Sequence, residues 1–416
     1  MVKRVLMIAY HFPPMRGSSG IQRTLSFARH LPRAGWQPTV LTASRRAYAD
    51  PGDETSDHAA DDSYPVHRTF ALDASRHLAL RGRYPMLLAQ PDRWISWWLS
   101  AVPAGLRLIR QQRPDIIWSS YPIATAHLIA LTLHRLTGIP WVADQRDPLL
   151  DTGYPLHPRT RRIHRWLEMK AIQYGAAIVC TTPGAVRACR QRHPAANDAR
   201  IHLIENGYDE DHFNAVRAAT RTKRTQFRLL HSGLIYPSER DPRALFTALE
   251  RLLRDGAIDA TNFRLVLRAS GHDDLLAPLI AQHRVGAIVE LAPALPYRAA
   301  LAEMLDADGL LLLQAANCND QIPAKFYEYL RARRPVLALT DPAGDTAAAL
   351  RRTGIDTIGT LANAADIAAT LTRFLRLSSA AQAPLASDST IARHSRTART
   401  LDLAALFDQI SNQETS

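Results

Sequence analysis

Apolar residues fall in short continuous runs at 3–10, 37–43, 115–119, 140–144, 176–181 and 201–204, then again at 227–231, 263–269, 287–291, 309–313 and 335–339. Runs of this length without polar alternation predict strands covered on both faces, as in parallel sheets. Between them apolar positions recur at helical spacing, as with Ile21, Leu25, Ala28 and Leu31. Strand and helix therefore alternate, which predicts an α/β protein with parallel sheets flanked by helices. The pattern breaks twice. At 48–83 it weakens and small and acidic residues gather, as in an exposed insertion. At 208–226 it is lost while the charge turns from acidic to basic, which predicts a linker. The halves on either side repeat one grammar, so two Rossmann-like domains facing a cleft are expected, at 1–207 and 227–390. In the closing segment, 391–416, Leu403, Leu406, Phe407 and Ile410 share one helical face, which predicts a terminal helix packing across a domain.

The most informative stretch is 320–339, DQIPAKFYEYLRARRPVLAL. Pro323 suits the first turn of a helix, where its missing N–H costs nothing, and Pro335 ends that helix and opens a strand. Lys325 and Glu328 then stand in the first turn, directed at the sheet edge where open α/β folds bind ligands. Lys325 reads either as an anion-binding cation or as the partner of Glu328 one turn on. Near the amino terminus, RGSSG between a strand and a helix offers backbone N–H groups to an anion, although a plain turn has the same composition. At the end of the strand at 140–144 come Asp144, Arg146 and Asp147. Two aspartates three apart suggest a metal site, but Arg146 between them supplies countercharge, which favours a hydrogen-bonded acid–base cluster.

Composition narrows the partners. The chain has 416 residues, net charge +12 and an isoelectric point near 10.0, which favours an anionic partner: nucleotide phosphate, anionic lipid or nucleic acid. No nucleic-acid motif with interleaved aromatics is present, so nucleic acid is not expected. Cys180, Cys189 and Cys318 are too scattered for a disulfide framework or a zinc site, and a reducing cytoplasm with three core cysteines is expected. No apolar stretch reaches the roughly 18 residues of a membrane span. Trp94, Trp97 and Trp98 form a cluster that reads as core packing or, in a basic protein, as an interfacial contact with lipid.

Five stretches in order carry a resemblance to one family: HFPPMRGSSGIQRTLSFARHLPRAGWQPTVLT, RPDIIWSSYP, GIPWVADQRDP, HSGLIYPSERDPRALFTAL and IPAKFYEYLRARRPVLAL. Together they resemble the bacterial group 1 glycosyltransferases, retaining enzymes of glycosyltransferase family four with the GT-B fold. The resemblance implies an acceptor in the first domain, a nucleotide sugar in the second, and no metal or other cofactor. It implies a glycan or lipid-linked acceptor and cell-surface polysaccharide or glycoconjugate synthesis; the tryptophan cluster and the +12 charge add the expectation of peripheral contact with an anionic inner membrane face, from the cytoplasmic side. Glu328 falls on the glutamate that holds the ribose hydroxyls, and Asp320 on the family's first glutamate, one methylene shorter here. Arg240, after the strand that ends before Gly233, falls on the phosphate-binding arginine, with Lys325 as a second cation. Gly17, Ser18 and Gly20 match the glycine loop that approaches the donor. Where many members have a histidine this chain has DQRDP, so Asp144, Arg146 and Asp147 stand on the acceptor side with no base assigned. A nucleotide-sugar epimerase of the same fold, or an inactive nucleotide-sugar-binding scaffold, are the alternatives. The glycine usual after the helix is replaced by Arg333.

Overall fold

The computed structural model describes residues 2–15, 19–49, 64–81, 83–151, 153–195, 198–216 and 225–414. The chain forms two compact units, Met1–Asn206 with Arg396–Ser416, and Gly207–Ser395.

The first unit holds β1 (Lys3–Ile8), β2 (Trp36–Ala43), β3 (Val66–Thr69), β4 (Ile116–Ser120), β5 (Trp141–Gln145), β6 (Ala177–Cys180) and β7 (Ile201–Leu203). They form one parallel sheet in the order β3-β2-β1-β4-β5-β6-β7. The second unit holds β8 (Phe227–Ser232), β9 (Phe263–Arg268), β10 (Val289–Ala292), β11 (Gly309–Leu313), β12 (Val336–Leu339) and β13 (Ile358–Gly359). They form a parallel sheet in the order β10-β9-β8-β11-β12-β13. Both orders run outward in opposite directions from a central pair, β1/β4 and β8/β11. Ligands of open α/β sheets bind outside the strand ends at such a reversal.

The continuous apolar runs follow from this layering. β1 sends Leu6 and Ile8 into one core layer and Val5 and Met7 into the other, all at most 1% exposed. β11 does the same with Leu311 and Leu313 against Leu310 and Leu312. Cys180, Cys189 and Cys318 are all buried. No helix of the described residues is long and apolar enough to cross a membrane.

Two expectations need correction. Within 48–83, β3 is an edge strand paired with β2, and Tyr48, Ala71 and Ala74 are buried; a four-residue strand covered on few sides leaves little periodicity. Residues 50–63 lie outside the described residues. Within 208–226, residues 208–216 belong to the second unit: Asp209 caps the helix Glu210–Asn214, and Arg331 donates to both Glu210 oxygens, from Nε at 2.8 Å and Nη2 at 2.5 Å. A five-residue helix is too short to show a period, and 217–224 lie outside the described residues. The terminal helix, Arg396–Glu414, packs on the first unit: Phe407 meets the Trp36 ring edge-on at 5.1 Å, and Lys3 donates to Asp408 at 2.6 Å.

Candidate functional site

In the second unit the site is built on the end of β8. Gly233 follows that strand with φ +114°, which side chains rarely adopt, and a Cβ there would stand 3.3 Å from Lys325 Nζ. The missing side chain lets Lys325 lie over the strand end. Pro323, expected in the first helical turn, precedes the helix instead: Phe326 N–H donates to its carbonyl, and Lys325–Ala332 is the helical span. Lys325 Nζ lies 3.1 Å from His231 Nε2. His231 Nδ1 lies 2.9 Å from the Leu311 carbonyl, so that nitrogen carries the proton and Nε2 offers its lone pair to the ammonium. Burial, then Lys325 itself, holds the imidazole well below its ordinary pKa, so His231 is neutral. The lysine is also shifted, to about 7, by burial first and then by Arg240, with Glu328 opposing.

Tyr329 ties the same strand ends together, its hydroxyl accepting from Ser232 N–H at 3.2 Å and donating to the Leu311 carbonyl at 3.4 Å. Glu328 is half-buried, and its Oε1 accepts from the Tyr297 hydroxyl at 2.8 Å. Arg240 lies half-buried in the loop after β8, stacked over Tyr236 at 5.3 Å and donating to the Leu234 carbonyl at 2.5 Å. Thus Gly233, Arg240, Lys325 and Glu328 form one electrostatic group, two cations and a carboxylate. Asp320 is exposed in the turn before the helix. That turn is braced by the buried Gln314, whose Nε2 donates to the carbonyls of Cys318 at 2.8 Å and Gln321 at 3.1 Å. Arg333 takes φ 53° and ψ 41°, so the left-handed turn that glycine would give is kept with a side chain. Its guanidinium pairs with Asp388 at 2.8 Å.

In the first unit the DQRDP aspartates part company. Asp144 is fully buried and its countercharge is Arg23, not Arg146. Arg23 grips it two-pronged, Nε and Nη2 each at 2.9 Å, and also donates to the carbonyls of Ile204 and Glu205, both at 3.0 Å, and to Asn206 Oδ1 at 3.4 Å. The strand ends at Gln145, so Arg146 and Asp147 lie in the loop beyond it, away from the buried surroundings of Asp144. Arg146 instead pairs with the half-exposed Asp147 and lies against Gly20, where a Cβ would stand 3.0 Å from both its Cζ and His11 Nδ1. Burial, then Arg146, pushes His11 down to about 3, so it stays neutral. Gly17 and Ser18 lie outside the described residues.

Beside this cluster is a cavity of about 870 Å³ within the first unit, lined among others by His11, Tyr84, Trp94, Tyr154 and His164. Its buried wall is well ordered by hydrogen bonds. Both ring nitrogens of His164 face carbonyls, Leu149 at 3.2 Å and Pro91 at 3.1 Å. Asp92 accepts from Thr125 N–H at 2.7 Å and its hydroxyl at 2.9 Å. Burial nonetheless raises the Asp92 carboxyl above its ordinary value.

Residues 19–207 match the family profile described as glycosyl transferase 4-like domain. No curated protein matches the sequence. Solved structures match along nearly the whole chain. Sucrose-phosphate synthase from Thermosynechococcus elongatus superposes with TM-score 0.64 at 13% identity, over 99% of this chain and 97% of that one. The trehalose-phosphate synthase (UDP-forming) of Burkholderia xenovorans, solved with glucose-6-phosphate, gives 0.62 at 13% identity, over 99% and 100%. Anabaena HepE with UDP-glucose gives 0.59 at 12% identity, over 99% and 99%. The fold is GT-B.

Against that GT-B frame, several residues of the site escape notice in the sequence. His231 had a visible signal, a lone imidazole directly after Leu229 and Leu230 and two residues before a glycine. Tyr297 and Tyr329 had none, because tyrosines on helices read as core. Arg23 was hidden by its helix: it lies over the Phe27 ring at 4.8 Å on the face that reads as packing.

Proposed function

We propose that this protein is a retaining, metal-independent glycosyltransferase that moves a sugar from a nucleotide donor to a glycan or lipid-linked acceptor in cell-surface glycoconjugate synthesis. The observation that carries the reading is the grouping of Gly233, Arg240, Lys325 and Glu328 at the ends of β8 and the following helix. A diphosphate needs cations where charge collects as the leaving group departs, and Arg240 and Lys325 supply two without a metal. A ribose needs an acceptor for two hydroxyls at once, which the Glu328 carboxylate offers, already oriented by Tyr297. Asp320 is assigned to the sugar end. In the first unit, Arg146 and Asp147 are assigned to the acceptor, with Gly20 keeping the space in which Arg146 lies; Gly17 and Ser18 are assigned to the donor with Gly20. Asp144 acts on the acceptor side through the positioning of this loop, since its oxygens are both engaged by Arg23. The proposed location is cytoplasmic, at the inner membrane face.

Lys325 gives this reading a pH signature. A diphosphate beside the ammonium favours its charged form, so above about pH 7 binding draws a proton from solution. Nucleotide affinity is expected to be flat below about pH 7 and to fall by up to about tenfold per pH unit above it. Folding stability runs the other way. The unfolded chain holds this proton up to the ordinary 10.5 and the folded chain only up to about 7, so this group makes stability rise with pH across that window. Thermal-shift and calorimetric titrations with UDP-, GDP- and dTDP-sugars from about pH 6 to about pH 9 test both, because a ligand that binds only the folded state raises its melting temperature. Absence of a shift with every donor would overturn the reading.

A further inference from the structure

The tryptophan cluster does not reach solvent as an interfacial patch. Trp97 is buried and donates to Thr69 Oγ1 at 2.9 Å, Trp98 donates to Thr132 Oγ1 at 3.0 Å, and Trp94 packs against the same core. Apolar side chains are instead exposed just upstream. Leu78, Leu80, Tyr84, Met86 and Leu88 stand at 37–81% exposure within eleven residues. Leu80 projects furthest, at 81%, from a tight turn in which Leu80 and Arg83 exchange backbone hydrogen bonds. Arg76, Arg81 and Arg83, all exposed, are interleaved with them, and no acidic residue occurs from 74 to 91.

A second element continues this surface. Gln90 donates to Thr160 at 2.9 Å and His164 faces the Pro91 carbonyl, which fastens the segment to the helix Pro158–Tyr174. That helix exposes Arg159, Arg162 and Arg165 at successive turns, with Trp166 and Met169 beside them at 41% and 45% exposure. Its acidic residue, Glu168, is buried and paired with Arg192 and His193. No acidic residue occurs from 153 to 167 either. Exposed apolar groups in such density mark a contact surface, and arginines among them, in two stretches without acidic residues, favour an anionic one. Arg83, Tyr84 and Met86 also line the 870 Å³ cavity, so surface and cavity are continuous.

We infer that the turn around Leu80 and the outer face of the helix Pro158–Tyr174 form a docking surface for a membrane carrying anionic lipid, with the cavity opening at that surface. The inference rests in part on the proposed function, in that a cavity open to lipid suits a lipid-borne acceptor. It adds where the membrane is met and by which side chains.

The test is sedimentation of the full chain with vesicles of phosphatidylcholine alone or with about a third phosphatidylglycerol. Binding is expected to be at least about tenfold tighter to the anionic vesicles and to weaken as salt rises from about 0.1 M to about 0.5 M. Leu80→Glu with Leu88→Glu, and separately Arg162→Glu with Arg165→Glu, are each expected to weaken it about tenfold or more while leaving the melting temperature and nucleotide affinity unchanged. Equal binding to both vesicles, or variants that bind like the native chain, would overturn the inference. So would a native protein that ignores vesicles but self-associates through the same side chains. Vesicle binding without nucleotide binding would leave the docking surface standing and remove the glycosyltransferase reading.

Discussion

Arg23→Ala is expected to destabilise the first unit by about 3–5 kcal/mol, because it takes from the fully buried Asp144 carboxylate the guanidinium that it is paired with. Both oxygens of that fully buried side chain accept from the one guanidinium. The same guanidinium also holds the carbonyls of Ile204 and Glu205, at the exit of β7 toward the second unit. Replacing both partners, Arg23→Met with Asp144→Leu, is expected to recover much of the loss, since no charge is then left unpaired. Urea denaturation measures both. A single variant that loses under about 1 kcal/mol would show that the pair is weakly coupled to folding. Because the helix Ser19–His30 carries Arg23 and opens beside Gly20 and Arg146, a native-like fold with a displaced strand end would also move the proposed acceptor group.

Glu328→Ala is expected to weaken nucleotide binding about 30- to 100-fold with little change in stability. The carboxylate is half-buried and accepts from the Tyr297 hydroxyl, which stands at the surface at 40% exposure. Removing it leaves the Tyr297 hydroxyl, at the surface, to bond water instead, while two ribose hydroxyls lose their acceptor. Titration calorimetry with the nucleotide found in the donor screen reads the change. Equal affinity in the two proteins would remove Glu328 from the ribose site, and Lys325 would then be the remaining link between this helix and a nucleotide.

Much of the fold is legible because its strands are buried on both faces. Leu310–Leu313 and Val336–Leu339 are continuous apolar runs for that reason, and their bounds follow from the flanking Gly309 and Pro335. β3 and β13 are not legible, being edge strands of four and two residues with few neighbours to dictate their side chains. In the site, charged residues in a first helical turn or just past a strand end stand out, as Lys325, Glu328 and Arg146 do. Their supports do not. Arg23 is 121 residues from Asp144 and His231 is 94 from Lys325, and nothing local in the sequence records which distant partner satisfies a buried charge. That is why the countercharge of Asp144 reads as its neighbour Arg146 when it is Arg23.

The grouping around Gly233 is proposed to serve transfer of a sugar from a nucleotide. Its most direct measurement is nucleotide release from a panel of UDP-, GDP- and dTDP-sugars in the presence of membrane extract, with the anomeric configuration of the product read by NMR. Release is expected with one donor, dependent on acceptor, retaining the donor's configuration and lost in Glu328→Ala. Binding of a donor without release would contradict it and leave a nucleotide-sugar-binding subunit; an altered sugar nucleotide formed without acceptor would contradict it in favour of an epimerase.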